Sequence, residues 1–484
     1  MDLHRTAFLL LLFLGASAHA GVVPVANSAE LTAAIANASA GDEIVLASGT
    51  YELTNVNCSA VGTPTQPIIV RAAEHLGARL VLGGVEGFKV TGASWQFDGL
   101  DIRGSCAADS DCEHAFHVMG AAHDFVLRNS RVMDFNAQVK ANALKIGNEW
   151  VAPERGLIEG NELGDTRARN TSSPTTKLNI DTGDDWVVRR NYIHDFEKGQ
   201  GDGVSYGAFF KSGGKRGIME RNLIICSTAP GGGGTRIGLS LGGGGTGAQF
   251  CAPAFDPAVP CSVEHEGGVI RNNIIVNCSD VGIYLNRASD SHILYNTLIA
   301  TGGIDFRFAT STGEAVGNLL GGTIRNRDGA TSSASANRQN VAVEEFSSWY
   351  RAPLSGDLSV VGNVGALEGE GPASASVTDD YCGASRPRSG LTLGALEHAL
   401  DPGCDTTKPM LTADDGADGG GGADGGQTGT PDAGTDGGEP GSGGADAGDD
   451  QPDAVGCGCA SGGVASSVLP FILLGGAILR RRRG

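Results

Sequence analysis

The sequence predicts an all-β solenoid, a right-handed parallel β-helix, over most of its length. Three observations carry this. First, one phrase recurs: a short apolar run, an Asn, a second apolar run and a Gly, around Asn273, Asn296 and Asn318. The steps between these Asn residues are 23 and 22. Such a step holds one coil of three short strands and their turns, with no room for a crossover helix. Second, Gly is abundant at 76 of 484 residues, aromatics are scarce at 6%, and helix-forming patterns are few. Third, polar and apolar residues alternate along the predicted strands, the period of a strand with one buried face.

Taken in order, the chain opens with a charged start, an apolar run Ala7–Leu14 and the small-residue ending Ala18-His19-Ala20. This is the pattern of a secretory signal peptide over residues 1–20, and export permits disulfides. Residues 22–53 read as an entrance cap. Leu31 and Ile35 lie at helical spacing within Ser28–Ala38, and Ser28 is placed to cap the helix. A solenoid needs such a cap, because its first coil exposes strand backbone and apolar core. Residues 67–84 and 88–105 supply the first coils.

The Asn phrase also runs backwards, through Asn222, Asn191, Asn161 and Asn129. The steps of 32, 30, 31 and 51 are coils with inserted loops, the longest holding the Gly-rich runs Gly231–Gly234 and Gly242–Gly245. Asn suits a turn because it tolerates the left-handed backbone region and bonds nearby backbone. Stacked Asn side chains can also bond along the helix axis. Residues 344–363 and 377–397 lack the phrase and read as the closing end of a domain over residues 21–410.

Residues 411–454 hold 11 acids, no bases and 15 Gly. They cannot bury a core and read as a disordered linker. Residues 455–484 combine Cys457, Cys459, an apolar stretch Val464–Leu479 and Arg480–Arg483. The stretch is short against the roughly 20 residues of a permanent span, and the arginines favour the cytoplasmic side. Without the tail's eleven acids and the four final arginines, the net charge of −20 becomes −13 on residues 21–410. An acidic domain of this kind is no nucleic-acid binder, since phosphate neutralisation needs basic patches.

Nine of the 11 cysteines precede residue 405. Cys106 with Cys112, and Cys251 with Cys261, are close enough to staple loops, and Cys382 with Cys404 to lock the closing segment. Cys58, Cys226 and Cys278 remain, one of them without an intrachain partner if the other two pair. No CxxC pair stands with a second pair or a nearby His, so no metal site is assigned. The loop from Cys106 to His114 carries acids that suit Ca²⁺ but lacks the EF-hand spacing.

The strand after each Asn turn can be aligned by its inward residues. Leu144, Ile180, Phe210, Leu241, Leu285 and Phe306 then form one buried column. Alternation turns Lys145, Asp181, Lys211, Gly242, Asn286 and Arg307 outward, flanked by Ala143, Asn179, Phe209, Ser240, Tyr284 and Asp305. Coils stack about 4.8 Å apart, so a few coils span several sugar units. The candidate substrate contacts are Asn179, Asp181, Phe209, Tyr284, Asn286 and Asp305, with Phe209 and Tyr284 suited to stack on sugar rings. Lys145, Lys211 and Arg307 are the basic residues of the outward column. Two readings remain open: an enzyme cutting an acidic polysaccharide, and a non-catalytic glycan-binding or adhesin-like surface solenoid.

The opening "ELTAAIANASAGDEIVLASGTYEL", the later "GTPTQPIIVRA", the Asn coils and the closing "DDYCGASRP…GALE" resemble secreted right-handed parallel β-helix proteins of the pectin-lyase type. The nearest enzymes are the chondroitinase B and alginate lyase family, and the resemblance covers most of residues 22–400. It implies β-elimination on a uronate-containing polysaccharide, with a Lys base, a nearby Arg and Ca²⁺ neutralising the uronate. Lys211 in "AFFKSGG" matches that Lys, and with Lys145 and Arg307 as the cations that could stand for the Arg, the resemblance implies Lys211, Lys145 and Arg307 as the candidate catalytic residues. The next coil shows "LSLGGGG" where the family has Arg, and upstream only Asp202 stands in "DGVSYGAFF". The C-terminus resembles the myxobacterial C-terminal sorting tail, which implies attachment to the cell envelope, at the cell surface or outer membrane; a retained membrane anchor is the other reading. The expected partners are a polysaccharide and the envelope, the chain acts as a monomer, and Ca²⁺ is the one cofactor the resemblance allows. Intact-mass measurement of the native protein tests the tail: a mature end near Cys457 or Cys459 is expected, and a mass that includes Arg480–Arg483 contradicts it.

Overall fold

Short apolar runs separated by sharp turns stack into three long parallel sheets. A computed structural model describes residues 21–229, 232–243, 245–398 and 404–407. The expected signal peptide, acidic linker and sorting tail lie outside the described residues. The first sheet has 12 strands, from Val22–Val25 to Thr331–Ser335. The second has 10, from Gly49–Leu53 to Leu319–Leu320, and the third has 10, from Val56–Cys58 to Thr323–Arg327. Each coil contributes one strand to each sheet, which makes the right-handed parallel β-helix expected from the repeat. The stack begins earlier than the cap reading implied, because Val22–Val25 already pairs in parallel with Glu43–Leu46.

The Asn residues are the spine of the stack. Asn161, Asn191, Asn222, Asn273, Asn296 and Asn318 are all fully buried. Each side-chain amide donates to the next Asn's Oδ1, at 2.9 to 3.1 Å. The same Oδ1 also accepts the backbone N–H of the preceding coil's Asn, at 2.9 to 3.0 Å. Asn337 adds a further rung. Two expectations change here. Asn129 is not a rung: it bonds Asp98 at 3.1 Å, and Ser130 takes the ladder position, its N–H donating to Asn161. The left-handed residue is also not the ladder Asn but the one before it, as at Arg190, Arg221 and Asn272. The turn therefore points the Asn inward, where its amide satisfies buried backbone groups that water cannot reach.

The aligned column holds for five of its six members. Ile180, Phe210, Leu241, Leu285 and Phe306 pair in register and are 0 to 2% exposed. Leu144 does not belong. The partner of Ile180 is Ala141. Leu144–Ile146 and Glu149–Val151 instead form an antiparallel hairpin that leaves Leu144 39% exposed. The interior at this level takes the small Ala141, so alignment on the larger apolar residue slips by three positions, and Ala143 and Lys145 leave the columns with Leu144.

The entrance helix α1 spans Ser28–Ala36 and buries Leu31 and Ile35. Its cap is Asn27, whose Oδ1 accepts from the Glu30 N–H at 3.0 Å, while Ser28 Oγ accepts from Glu52 N–H at 2.9 Å. The closing segment does not seal the end of the stack. Its helix α2 (Val343–Trp349) and the antiparallel pair Tyr350–Ala352 and Asp357–Val360 lie along the second sheet. Phe346, Trp349, Tyr350 and Leu358 cover Leu223, Ile274, Ile299 and Leu319. That sheet turns apolar side chains to both faces, as in the run Leu223–Ile225, so it needs a cover.

The disulfides Cys106–Cys112, Cys251–Cys261 and Cys382–Cys404 form as expected. Cys226 pairs with Cys278, and Cys58 is buried and free. Four disulfides fit an exported protein.

The ladder yields a stability prediction. Asn222→Ala removes the acceptor of the Asn191 amide and the donor to Val188 C=O and Asn273 Oδ1, all buried. With about 1–3 kcal/mol for each buried group left unpaired, urea unfolding is expected to show a loss of at least about 2 kcal/mol. A loss within the scatter of surface substitutions, about 0.5 kcal/mol, contradicts the ladder's role.

Candidate functional site

The outward face of the third sheet gathers most of the predicted site residues. Register places Lys89, His117, Lys140, Asn179, Phe209, Ser240, Tyr284, Asp305 and Arg325 in one column. The residues two further along their strands form a second column, which includes Asn142, Asp181, Lys211, Asn286, Arg307 and Arg327.

The columns meet in a recess at Asp181. Lys140 Nζ donates to Asn179 Oδ1 at 2.9 Å and to Asp181. Lys211 Nζ lies 3.5 Å from Asp181 and 4.8 Å from the centroid of the Phe209 ring. The side chains of Lys140, Asp181 and Lys211 are only 10%, 13% and 12% exposed. Lys140 is also the partner, one coil on, of His117, whose Nε2 lies 2.6 Å from Asn142 Oδ1.

Insertions after the strands of this sheet wall the recess. Gly243 lies against Lys211: a Cβ added there would stand 2.7 Å from Lys211 Cδ, so a larger residue would shift the Lys211 side chain. Glu264 holds the Gly loop by accepting the N–H groups of Gly243 at 2.9 Å and Gly245 at 3.1 Å. The loop then enters the Cys251–Cys261 staple, and its Phe255 stacks on Trp150 of the 144–151 hairpin at 4.8 Å. The hairpin that displaced Lys145 from the column is therefore part of the wall.

Tyr284, Asn286, Asp305 and Arg307 form a separate cluster. Arg307 stands three rungs beyond Lys211, about 14 Å at the usual rung spacing. It bonds Tyr284 Oη at 3.3 Å and Asp328 at 2.5 Å. Asp305 is buried between Arg325 and Arg327, at 2.5 and 2.9 Å. Burial holds the Tyr284 phenol above its ordinary value. Asn286 is buried, and its Oδ1 has no hydrogen-bond partner among the described residues. Asn179 is likewise buried and engaged, as the acceptor from Lys140.

The structure thus brings Asn179, Asp181, Phe209 and Lys211 together and keeps Arg307 apart. Sequence reading missed Lys140, Asn142 and His117. The alternation in "QVKAN", with Val139 and Ala141 buried, was the signal for Lys140. Ca²⁺ fits this recess poorly. It takes six to eight oxygens, several of them carboxylate. Asp181, a carboxylate that meets Lys211, is already paired with two ammonium groups. Asp109, in the acidic loop after Cys106, is taken up by Arg167, Arg169 and the Asn170 N–H. A cavity of about 180 Å³ lies elsewhere, between residues 213–215 and the 251–263 loop. Its charged groups Lys215 and Glu266 pair with each other at 2.8 Å, so it presents no converging chemistry.

Comparison with known proteins agrees on the fold. Residues 25–142 match the family model described as chondroitinase B. That segment contains His117, Lys140 and Asn142 and ends before Asp181 and Lys211. Pectate lyase Pel9A superposes with a TM-score of 0.51 at 14% identity, covering 76% of this chain and 90% of that one. An alginate lyase from Paenibacillus sp. str. FPU-7 covers 66% of this chain and 99% of its own at 15% identity, with a TM-score of 0.36. The PL6 family polysaccharide lyase Pedsa3628 from Pseudopedobacter saltans covers 66% and 92% at 12% identity, with a TM-score of 0.34. No curated protein sequence matches the chain. At these identities the likeness is one of fold, and the pectate lyase superposition carries it.

Proposed function

We propose that this chain is an exported, surface-held polysaccharide lyase that cuts a uronate-containing glycan by β-elimination in the recess around Lys211. The observation that supports it is the convergence of Lys140 and Lys211 on one carboxylate, beside Phe209, on the outward face of a pectate-lyase-type helix. The chondroitinase B match and the lyase folds supply the substrate class.

The chemistry divides as follows. A base takes the proton from C5 of the uronate, the C5–H electrons form the C4=C5 double bond, and the C4–O4 bond breaks as O4 gains a proton. Negative charge grows on the uronate carboxylate during the first step and needs a fixed cation. Lys211 is the base, and Lys140 is the cation in the neighbouring column. Asp181 holds both side chains in place, and an arriving carboxylate displaces it from Lys140. A Lys base works only when neutral, which cationic neighbours and desolvation favour. Phe209 and Tyr284 are buried, at 5% and 7% exposure, so they do not stack on sugar rings as expected but pack behind Lys211 and Arg307, and the half-exposed Arg307 binds an acidic sugar farther along the chain. This division assigns no step to Ca²⁺.

A second reading keeps the same groove without turnover. In the free protein Asp181 pairs with both lysines, an arrangement that suits a site built to exchange one carboxylate for another. Turnover separates the two. Purified protein incubated with pectin, alginate and glycosaminoglycans should release unsaturated ends, read by their ultraviolet absorbance. Lys211→Ala should lower that rate by about 10²–10⁴-fold, the usual contribution of a positioned base, with the fold intact. Lys145→Ala should do less, because Lys145 stands outside the column. Activity that survives Lys211→Ala overturns the site, and binding without absorbance favours the second reading.

A further inference from the structure

Glu86, His114 and His117 form a cluster outside the Lys211 recess. One ligand-capable atom from each lies within 4.8 Å of the others. His114 and Glu86 are register partners on adjacent strands, and His117 follows three residues after His114. The two imidazole centroids are 4.8 Å apart. His117 Nδ1 is 2.5 Å from Glu86 Oε1.

We propose that these three side chains bind a divalent transition ion, Zn²⁺. The donor set points to this class of ion, because imidazole suits zinc, whereas magnesium and calcium want all-oxygen shells. Two His and one Glu make a three-ligand site with an open position. Zn–N and Zn–O bonds of about 2.0–2.2 Å require the three atoms to close to roughly 3.4 Å from one another, a movement within reach of side-chain rotation.

Two further observations support a ligand here. Nδ1 of His114 is buried and has no hydrogen-bond partner among the described residues. His117 has its other ring nitrogen, Nε2, 2.6 Å from Asn142 Oδ1. An acceptor on the far nitrogen is the usual support of a metal-bound imidazole, since it fixes the tautomer that leaves Nδ1 for the ion. The side chains of His117 and Glu86 are 14% and 23% exposed, so an ion has a path in. Lys89 Nζ, 3.5 Å from Glu86 Oε2, is 45% exposed and can withdraw to solvent when the ion enters. His117 and Lys140 are register partners, so the ion's open position lies one coil from the recess, within reach of an acidic sugar.

Zinc chloride titrated into the purified full chain, in a calorimeter and without glycan, tests this apart from the lyase reading. One Zn²⁺ per chain is expected. Asn142→Ala should weaken it by about 10–100-fold, the usual effect of removing an outer-shell partner. His114→Ala and Glu86→Gln should weaken it further, while His292→Ala, at a surface His–Glu pair, should leave it unchanged. Glu86→Gln preserves size and hydrogen bonding, so it decides the matter if His114→Ala misfolds. With Co²⁺ in place of Zn²⁺, visible absorption should appear in the native chain and vanish in Glu86→Gln. No saturable Zn²⁺ binding, or wild-type affinity in Glu86→Gln, overturns the proposal.

Discussion

Every part of this molecule depends on coils stacking in register, one rung on the next. Backbone hydrogen bonds alone allow neighbouring coils to differ in length, and these differ widely: successive ladder Asn residues are 19 to 51 residues apart. The Asn ladder holds the turn constant through that variation. Each rung receives two hydrogen bonds on one oxygen and donates from one nitrogen, inside a core where no water competes. Loops can therefore swell between rungs without shifting the strands. The 51-residue step from Asn222 to Asn273 is the clearest case: it carries the Gly loop and the Cys251–Cys261 staple, yet Leu241 still meets both Phe210 and Leu285 in register.

This constancy builds the candidate site. A side chain on a solenoid rung has fixed neighbours above and below, so residues 41 positions apart in sequence, Lys140 and Asp181, meet directly. The candidate site then has two structural sources. The rungs supply the two columns of polar groups, and the inserted loops supply walls that reduce the exposure of Lys140, Asp181 and Lys211 to little more than a tenth. Lower exposure strengthens their electrostatics. A larger residue at Gly243 would displace the Lys211 side chain.

Much of the fold was legible because its signals are local and periodic. The Asn repeat, the alternation and three of the four disulfides could be read from spacing. What escaped has a physical cause in each case. Ala141 is small, so apolar size pointed to Leu144 instead, and with that slip Lys145 was named in place of Lys140. The ladder Asn was credited with the left-handed turn because Asn often adopts it, whereas here Arg190, Arg221 and Tyr295 bear that conformation and the Asn is needed for its amide. The closing segment reads as an end because it lacks the repeat, but the second sheet's outer apolar face, visible in Leu223 and Ile274, needed a lateral cover. The Glu86–His114–His117 cluster spans two coils, so no single motif displays it, although two His three residues apart in "HAFH" were a partial signal.

The central claim is that the third-sheet face, around Asp181, is where an acidic glycan sits. A crystal structure of the Lys211→Ala variant soaked with a short uronate oligosaccharide measures this directly. The account predicts the sugar chain lying across the rungs of that sheet, with a uronate carboxylate on Lys140 in place of Asp181. An oligosaccharide bound on another sheet, or on this one with the Lys140–Asp181 pair undisturbed, would contradict it.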